Sequence, residues 1–69
     1  MPTIRIELFE GRTAEQKAAL AREITDACVR VLGGSADGVD MIFSDVARHD
    51  WATGGVLWSD KGKPPPQSA

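Results

Sequence analysis

Residues 2–17 read PTIRIELFEGRTAEQK, and this stretch decides the fold. Ile4, Ile6 and Leu8 alternate with Arg5, Glu7 and Phe9, which is the period of a half-buried strand. Glu10-Gly11-Arg12 breaks the alternation. Thr13-Ala14-Glu15-Gln16 then has the spacing of a capping box, with the Thr13 hydroxyl on the first helical turn and Gln16 reaching back. A strand over Thr3 to Phe9 therefore passes through a tight turn into a helix.

Working outward, Leu20, Ile24, Ala27, Cys28, Val31 and Leu32 recur at three- and four-residue steps and make one apolar face, while Lys17, Arg22, Glu23, Asp26 and Arg30 make a wet one. Gly33-Gly34 ends the helix, since glycine tolerates the left-handed geometry of a C-terminal cap. A second strand is expected over Val39 to Val46, with Val39, Met41 and Phe43 on one side and Asp40, Ile42 and Ser44 on the other. Strand, helix and strand make a βαβ unit, whose crossover is right-handed and whose strands are parallel. The pattern then dissolves through Arg48-His49-Asp50-Trp51 and Ala52-Thr53-Gly54-Gly55. Val56-Leu57-Trp58 reads as a short β-arm, which cannot bury itself and is expected to pair with a neighbouring subunit. The tail, Asp60 to Ala69 with Pro64-Pro65-Pro66, is expected to be solvated, disordered or polyproline-like. Residues 1–69 thus form a single α+β domain with its core at about 2–58.

Composition narrows the function. A chain of 69 residues holds one domain and is marginal alone. Small domains draw on disulfides, a metal or an oligomer. Cys28 is the one cysteine and His49 the one histidine, so neither an internal disulfide nor a closed zinc site can be built. With 42% hydrophobic residues to hide, oligomerisation is the favoured route. The net charge of −2, without a basic stripe, argues against nucleic acid. The apolar runs are too short for a membrane span, and Arg5 and Glu7 interrupt any signal-peptide pattern. A lone cysteine without a secretion signal fits the cytoplasm.

Pro2 lies directly behind Met1. With a small residue at position 2, Met1 is of the kind normally trimmed, which leaves a secondary amine. An α-amino group ordinarily has a pKa of about 7.7–8.0, and desolvation or nearby cations lower it. A free amine on a rigid ring is a useful general base at neutral pH. Taken alone, Pro2 reads simply as a start-site residue.

Together, Pro2, Glu10-Gly11-Arg12-Thr13, Glu15-Gln16-Lys17, the helix, Val39 to Val46, Trp51 and Gly54-Gly55 resemble the 4-oxalocrotonate tautomerase family of the tautomerase superfamily, over about residues 2 to 58. The resemblance implies a βαβ fold with a short C-terminal hairpin. It implies dimers that share a four-stranded sheet with helices on one face, packed sheet-inward into a hexamer. It implies catalysis without a cofactor, in which the Pro2 nitrogen takes a proton from a dienol and returns it to a distant carbon. Arg12 would hold a carboxylate of a small substrate, for which the planar guanidinium fork is suited. Trp51 would form an apolar wall.

One position departs from the family. A second arginine, which polarises the 2-keto oxygen, is matched by Asp40. An anion there opposes enolate charge and favours the ammonium form of the proline. Arg48 or Arg5 could supply the missing cation from another direction. Asp40 also fits a solvated or paired strand carboxylate, and Trp51 fits a packing aromatic as well as a pocket wall. Cys28 reads as a structural thiol, Arg5 as structural or interfacial, and His49 as a surface histidine, because adjacent residues such as His49 and Asp50 rarely face each other. Three functions follow: a proline-based tautomerase or isomerase of an unsaturated 2-hydroxy or 2-oxo acid; a hydratase or dehalogenase in which Asp40 activates water; and a non-catalytic subunit of a mixed hexamer.

Overall fold

A computed structural model describes residues 2–62. The first strand, β1, spans Thr3–Phe9. The helix, α1, spans Ala14–Leu32, and the second strand, β2, spans Asp40–Val46. Strands β1 and β2 are parallel, in register from Thr3 against Asp40 to Phe9 against Val46. This is the βαβ unit that the periodicities predict. Val39, expected as the first residue of β2, instead closes the turn Ala36–Gly38, donating its N–H to the Ala36 carbonyl at 3.1 Å.

The start of α1 follows from four residues. The Thr13 hydroxyl accepts from the Gln16 N–H at 3.0 Å, and the Gln16 side chain accepts from the Thr13 N–H at 2.9 Å. Two of the N–H groups that a helix start leaves unpaired are thus satisfied reciprocally. Thr13→Ala removes one of them and is expected to cost about 1 kcal/mol of stability, read as a lower denaturant midpoint with an unchanged slope. At the other end Gly33, at φ 83°, donates to the Val29 carbonyl at 2.9 Å.

The helix lies on the face of the sheet formed by Ile4, Ile6, Leu8, Met41 and Phe43, all half-buried. Ile24, Ala27 and Cys28 are half-buried as expected. Leu20, Val31 and Leu32 are not: they are 40%, 76% and 69% exposed. At 1.5 Å per residue a helix of this length runs about 28 Å, whereas a seven-residue strand runs about 23 Å. Two strands cannot cover it. Lys17, expected on the wet face, is half-buried, and its ammonium reaches across to Asp45 on β2 at 2.8 Å. The pair ties the start of α1 to the far end of the sheet. Among the described residues no hydrophobic side chain is fully buried.

The opposite face of the sheet carries Thr3, Arg5, Glu7, Asp40, Ile42 and Ser44, all exposed. A parallel sheet with a bare face is unusual, because such sheets are ordinarily covered on both sides. The chain then makes a short 3₁₀ turn, Arg48–Asp50, followed by β3, Ala52–Thr53, and β4, Val56–Leu57. The β-arm expected to seek a neighbour pairs first within its own chain: β3 and β4 are antiparallel, Ala52 against Leu57 and Thr53 against Val56. Gly54 and Gly55 have φ of 62° and 82°, the double positive φ of a type I′ hairpin turn. The hairpin that the family resemblance implies is therefore present. Its Val56 and Leu57 stay open, at 44% and 37% exposure. Asp60, assigned to the tail, closes a further 3₁₀ turn, Trp58–Asp60. The proline run at 64–66 lies outside the described residues. No helix among the described residues is long and apolar enough to cross a membrane.

Candidate active site

The parallel strand pair distributes the candidate residues between its two ends. Pro2 is half-buried at the head of β1. Its carbonyl accepts the Asp40 N–H at 2.9 Å, which fixes the residue to the first position of β2. Pro2 also lines a small cavity of about 80 Å³ together with Cys28, Leu32, Gly33, Gly34 and Val39. Asp40 is exposed and, by strand alternation, shares the bare face with Arg5 and Ile42. Its carboxylate makes no ion pair with any described residue.

Arg12 lies at the other end. It follows the turn after β1, where the Glu10 N–H donates to the Val46 carbonyl at 3.1 Å. With β1 rising about 3.3 Å per residue, the two ends of the strand are about 20 Å apart. Arg48 and Trp51 follow the end of β2 and so stand at the Arg12 end. One chain therefore places Pro2 and Asp40 at one end of the strand pair and Arg12, Arg48 and Trp51 at the other.

The second set is organised by two residues that the sequence reading did not assign to the site. The Phe9 ring lies 4.7 Å from Trp51 at 51°, and 5.5 Å from Trp58 at 64°. These are tilted and edge-on arrangements, which aromatic pairs favour. The Trp58 N–H of the backbone donates to the Trp51 carbonyl at 2.8 Å, and the Trp58 indole donates to the Thr53 hydroxyl at 3.0 Å. The Arg48 guanidinium sits over the Phe9 ring at 4.4 Å, and the Lys61 ammonium over the Trp58 ring at 5.0 Å. Phe9 had one sequence signal: it is an aromatic in the polar phase of β1, beside Arg5 and Glu7. Trp58 had none beyond its size, because its indole partner lies across a hairpin.

His49 and Asp50 do approach each other, Nε2 to Oδ2 at 3.6 Å, contrary to the expectation for adjacent residues. Both residues belong to the 3₁₀ turn Arg48–Asp50. At 71% and 65% exposure they remain a surface pair.

One end of the strand pair thus carries Pro2 and Asp40, joined through the backbone, and the other carries Arg12 and, over the Phe9 ring, Arg48. Known proteins resemble this chain in sequence and fold along nearly its whole length. Residues 2–61 match the Tautomerase family, described as a tautomerase enzyme. A probable tautomerase of Ralstonia nicotianae, RSp0893, is 41% identical over 68 residues, which is 99% of this chain and 97% of that one. One of the 4-oxalocrotonate tautomerase isozymes from Methylibium petroleiphilum is similar in structure, with a TM-score of 0.81 at 35% identity over 90% of this chain and 100% of the other. A heterohexamer 4-oxalocrotonate tautomerase from Chloroflexus aurantiacus gives a TM-score of 0.81 at 33% identity, over 88% of this chain and 98% of that one. With its βαβ unit, its C-terminal hairpin and these relatives, the chain belongs to the 4-oxalocrotonate tautomerase family of the tautomerases.

Proposed function

We propose that the chain, once Met1 is removed, is a cofactor-free tautomerase of a small unsaturated 2-hydroxy or 2-oxo acid, working as a cytoplasmic hexamer of identical subunits. The Pro2 amine takes the hydroxyl proton of a dienol and delivers a proton to a distant carbon, so the product is the isomeric conjugated ketone. Arg12 holds a substrate carboxylate, and Trp51 walls the reacting carbons from water.

The observation that carries this reading is the division of the site along β1. A base and a carboxylate clamp about 20 Å apart cannot serve one small molecule within one chain, but two chains can bring opposite ends together. The exposed Leu20, Val31, Leu32 and Ile42 and the open hairpin residues Val56 and Leu57 supply apolar surface for that assembly. Native mass spectrometry and an ultraviolet screen of 2-hydroxydienoates test the reading together. A hexamer converting a dienol to its conjugated ketone supports it; a monomer inert towards the whole panel rejects it.

Asp40, with a relative that is a heterohexamer, favours one second reading: a subunit that completes a mixed hexamer without a full site of its own. Asp40→Arg separates the two. In a catalytic homo-oligomer the new cation meets developing enolate charge, and kcat on 2-hydroxymuconate rises about tenfold or more. Replacing an anion by a cation near Pro2 also disfavours the ammonium form, so the rise of kcat/KM with pH moves to lower pH. An assembled Asp40→Arg protein that is slower than the parent gives the carboxylate a positive role, such as activating water. One that stays inert supports the non-catalytic subunit.

A further inference from the structure

Asp40 leaves the family's second cation unaccounted for, and two arginines were candidates to replace it. The structure distinguishes them. Arg5 stands exposed in the middle of β1, opposite Ile42, and no described residue holds its side chain by an ion pair or a ring contact. Arg48 is held over Phe9 at 4.4 Å, and Phe9 is itself packed against Trp51 and Trp58. A guanidinium seated on a ring keeps its five N–H donors, because the contact uses ring charge and not a hydrogen-bond acceptor. Among the described residues, neither Glu10 nor Asp50 pairs with Arg48 or with Arg12. Both leave the same end of the strand pair, Arg12 just beyond Phe9 and Arg48 just beyond its register partner Val46. Lys61, over Trp58, adds a third positive charge to this end.

We infer that Arg48 is a substrate-binding residue, which joins Arg12 in gripping one carboxylate while the unsaturated chain of the acid lies against Trp51, and that Phe9 is the residue that positions it. This rests on the reading of Arg12 as the carboxylate clamp. The preferred substrate class is then a planar unsaturated acid whose anionic group sits at the end away from Pro2 and Asp40. A second carboxylate beside the reacting enol, facing Asp40, is disfavoured.

Sorbate, a planar dienoic acid without an enol to isomerise, and its uncharged amide test this without catalysis. Calorimetry on the assembled full chain is expected to show tighter binding of sorbate than of the amide. Arg48→Gln should weaken sorbate about tenfold and leave the amide within about twofold. Phe9→Leu should also weaken sorbate, and should have no further effect once Arg48 is Gln, as expected for residues acting as one unit. Native mass spectrometry of Arg48→Gln checks that the variant assembles as the parent does. Equal binding of sorbate by parent and Arg48→Gln overturns the inference. So does an equal loss for acid and amide, or a parent that does not prefer sorbate. Loss with Arg48→Gln but not with Arg12→Gln supports Arg48 and removes the role given to Arg12. Arg48-dependent sorbate binding in a protein without tautomerase activity supports the inference and rejects Pro2 as the base.

Discussion

Protein that retains Met1 is expected to show no tautomerase activity, whereas the same chain beginning at Pro2 turns over. With Met1 attached, the Pro2 nitrogen belongs to a peptide bond. Its lone pair is delocalised into the carbonyl, and it accepts no proton at neutral pH. With Met1 removed it is a secondary amine, whose ordinary pKa of about 7.7–8.0 leaves a useful fraction free. General-base catalysis is commonly worth about 10²–10⁴-fold, so the blocked protein should lose at least that. The two forms can be made from one fusion, before and after cleavage ahead of Pro2, with intact mass confirming each. Pro2→Ala retains a primary amine and should be impaired, not dead. Equal rates for blocked and free protein would reject the amine as the base.

An inactive variant and an impaired one are expected to complement each other when mixed. A Pro2-blocked chain keeps Arg12, Arg48 and Trp51; an Arg12→Ala chain keeps Pro2. Alone, the second should lose about 1.5–3 kcal/mol of binding to the carboxylate, or about one to two decades in kcat/KM. If each site takes its base from one chain and its clamp from another, random exchange leaves both intact at about a quarter of the sites of an equimolar hexamer. If one chain supplied both groups, no mixed site could hold both and mixing would restore nothing. The measurement is the rate after co-refolding against the sum of the separate rates, with native mass spectrometry confirming that subunits have exchanged. The prediction follows from β1 alone: Thr3 and Phe9, at its two ends, are about 20 Å apart, and Pro2 and Arg12 lie just beyond them.

Much of this molecule can be read from neighbouring residues. The alternation of Ile4, Ile6 and Leu8 with Arg5 and Glu7 states a strand. Thr13 and Gln16, three positions apart, state the start of the helix, and both of their hydrogen bonds are present. Gly33 states its end, and Gly54-Gly55 a primed hairpin turn. Each of these is a matter of backbone hydrogen bonds, or of the sterics of φ, within a few residues, and such forces need no distant partner.

The candidate site is different. Lys17 meets Asp45 across 28 positions, so helical periodicity alone assigned its side chain to water. Phe9 belongs to the polar phase of its strand by period, yet it carries Trp51, Trp58 and Arg48, because β1 and β2 end side by side and the chain folds back over that end. Sequence by itself determined the elements, their order and the residue types that bear chemistry. Tertiary structure alone decided that Pro2 and Asp40 stand at one end and Arg12, Arg48 and the aromatic cluster at the other. Strand register and the packing of aromatic faces depend on residues brought together from far along the chain, and the period of any one segment does not contain them.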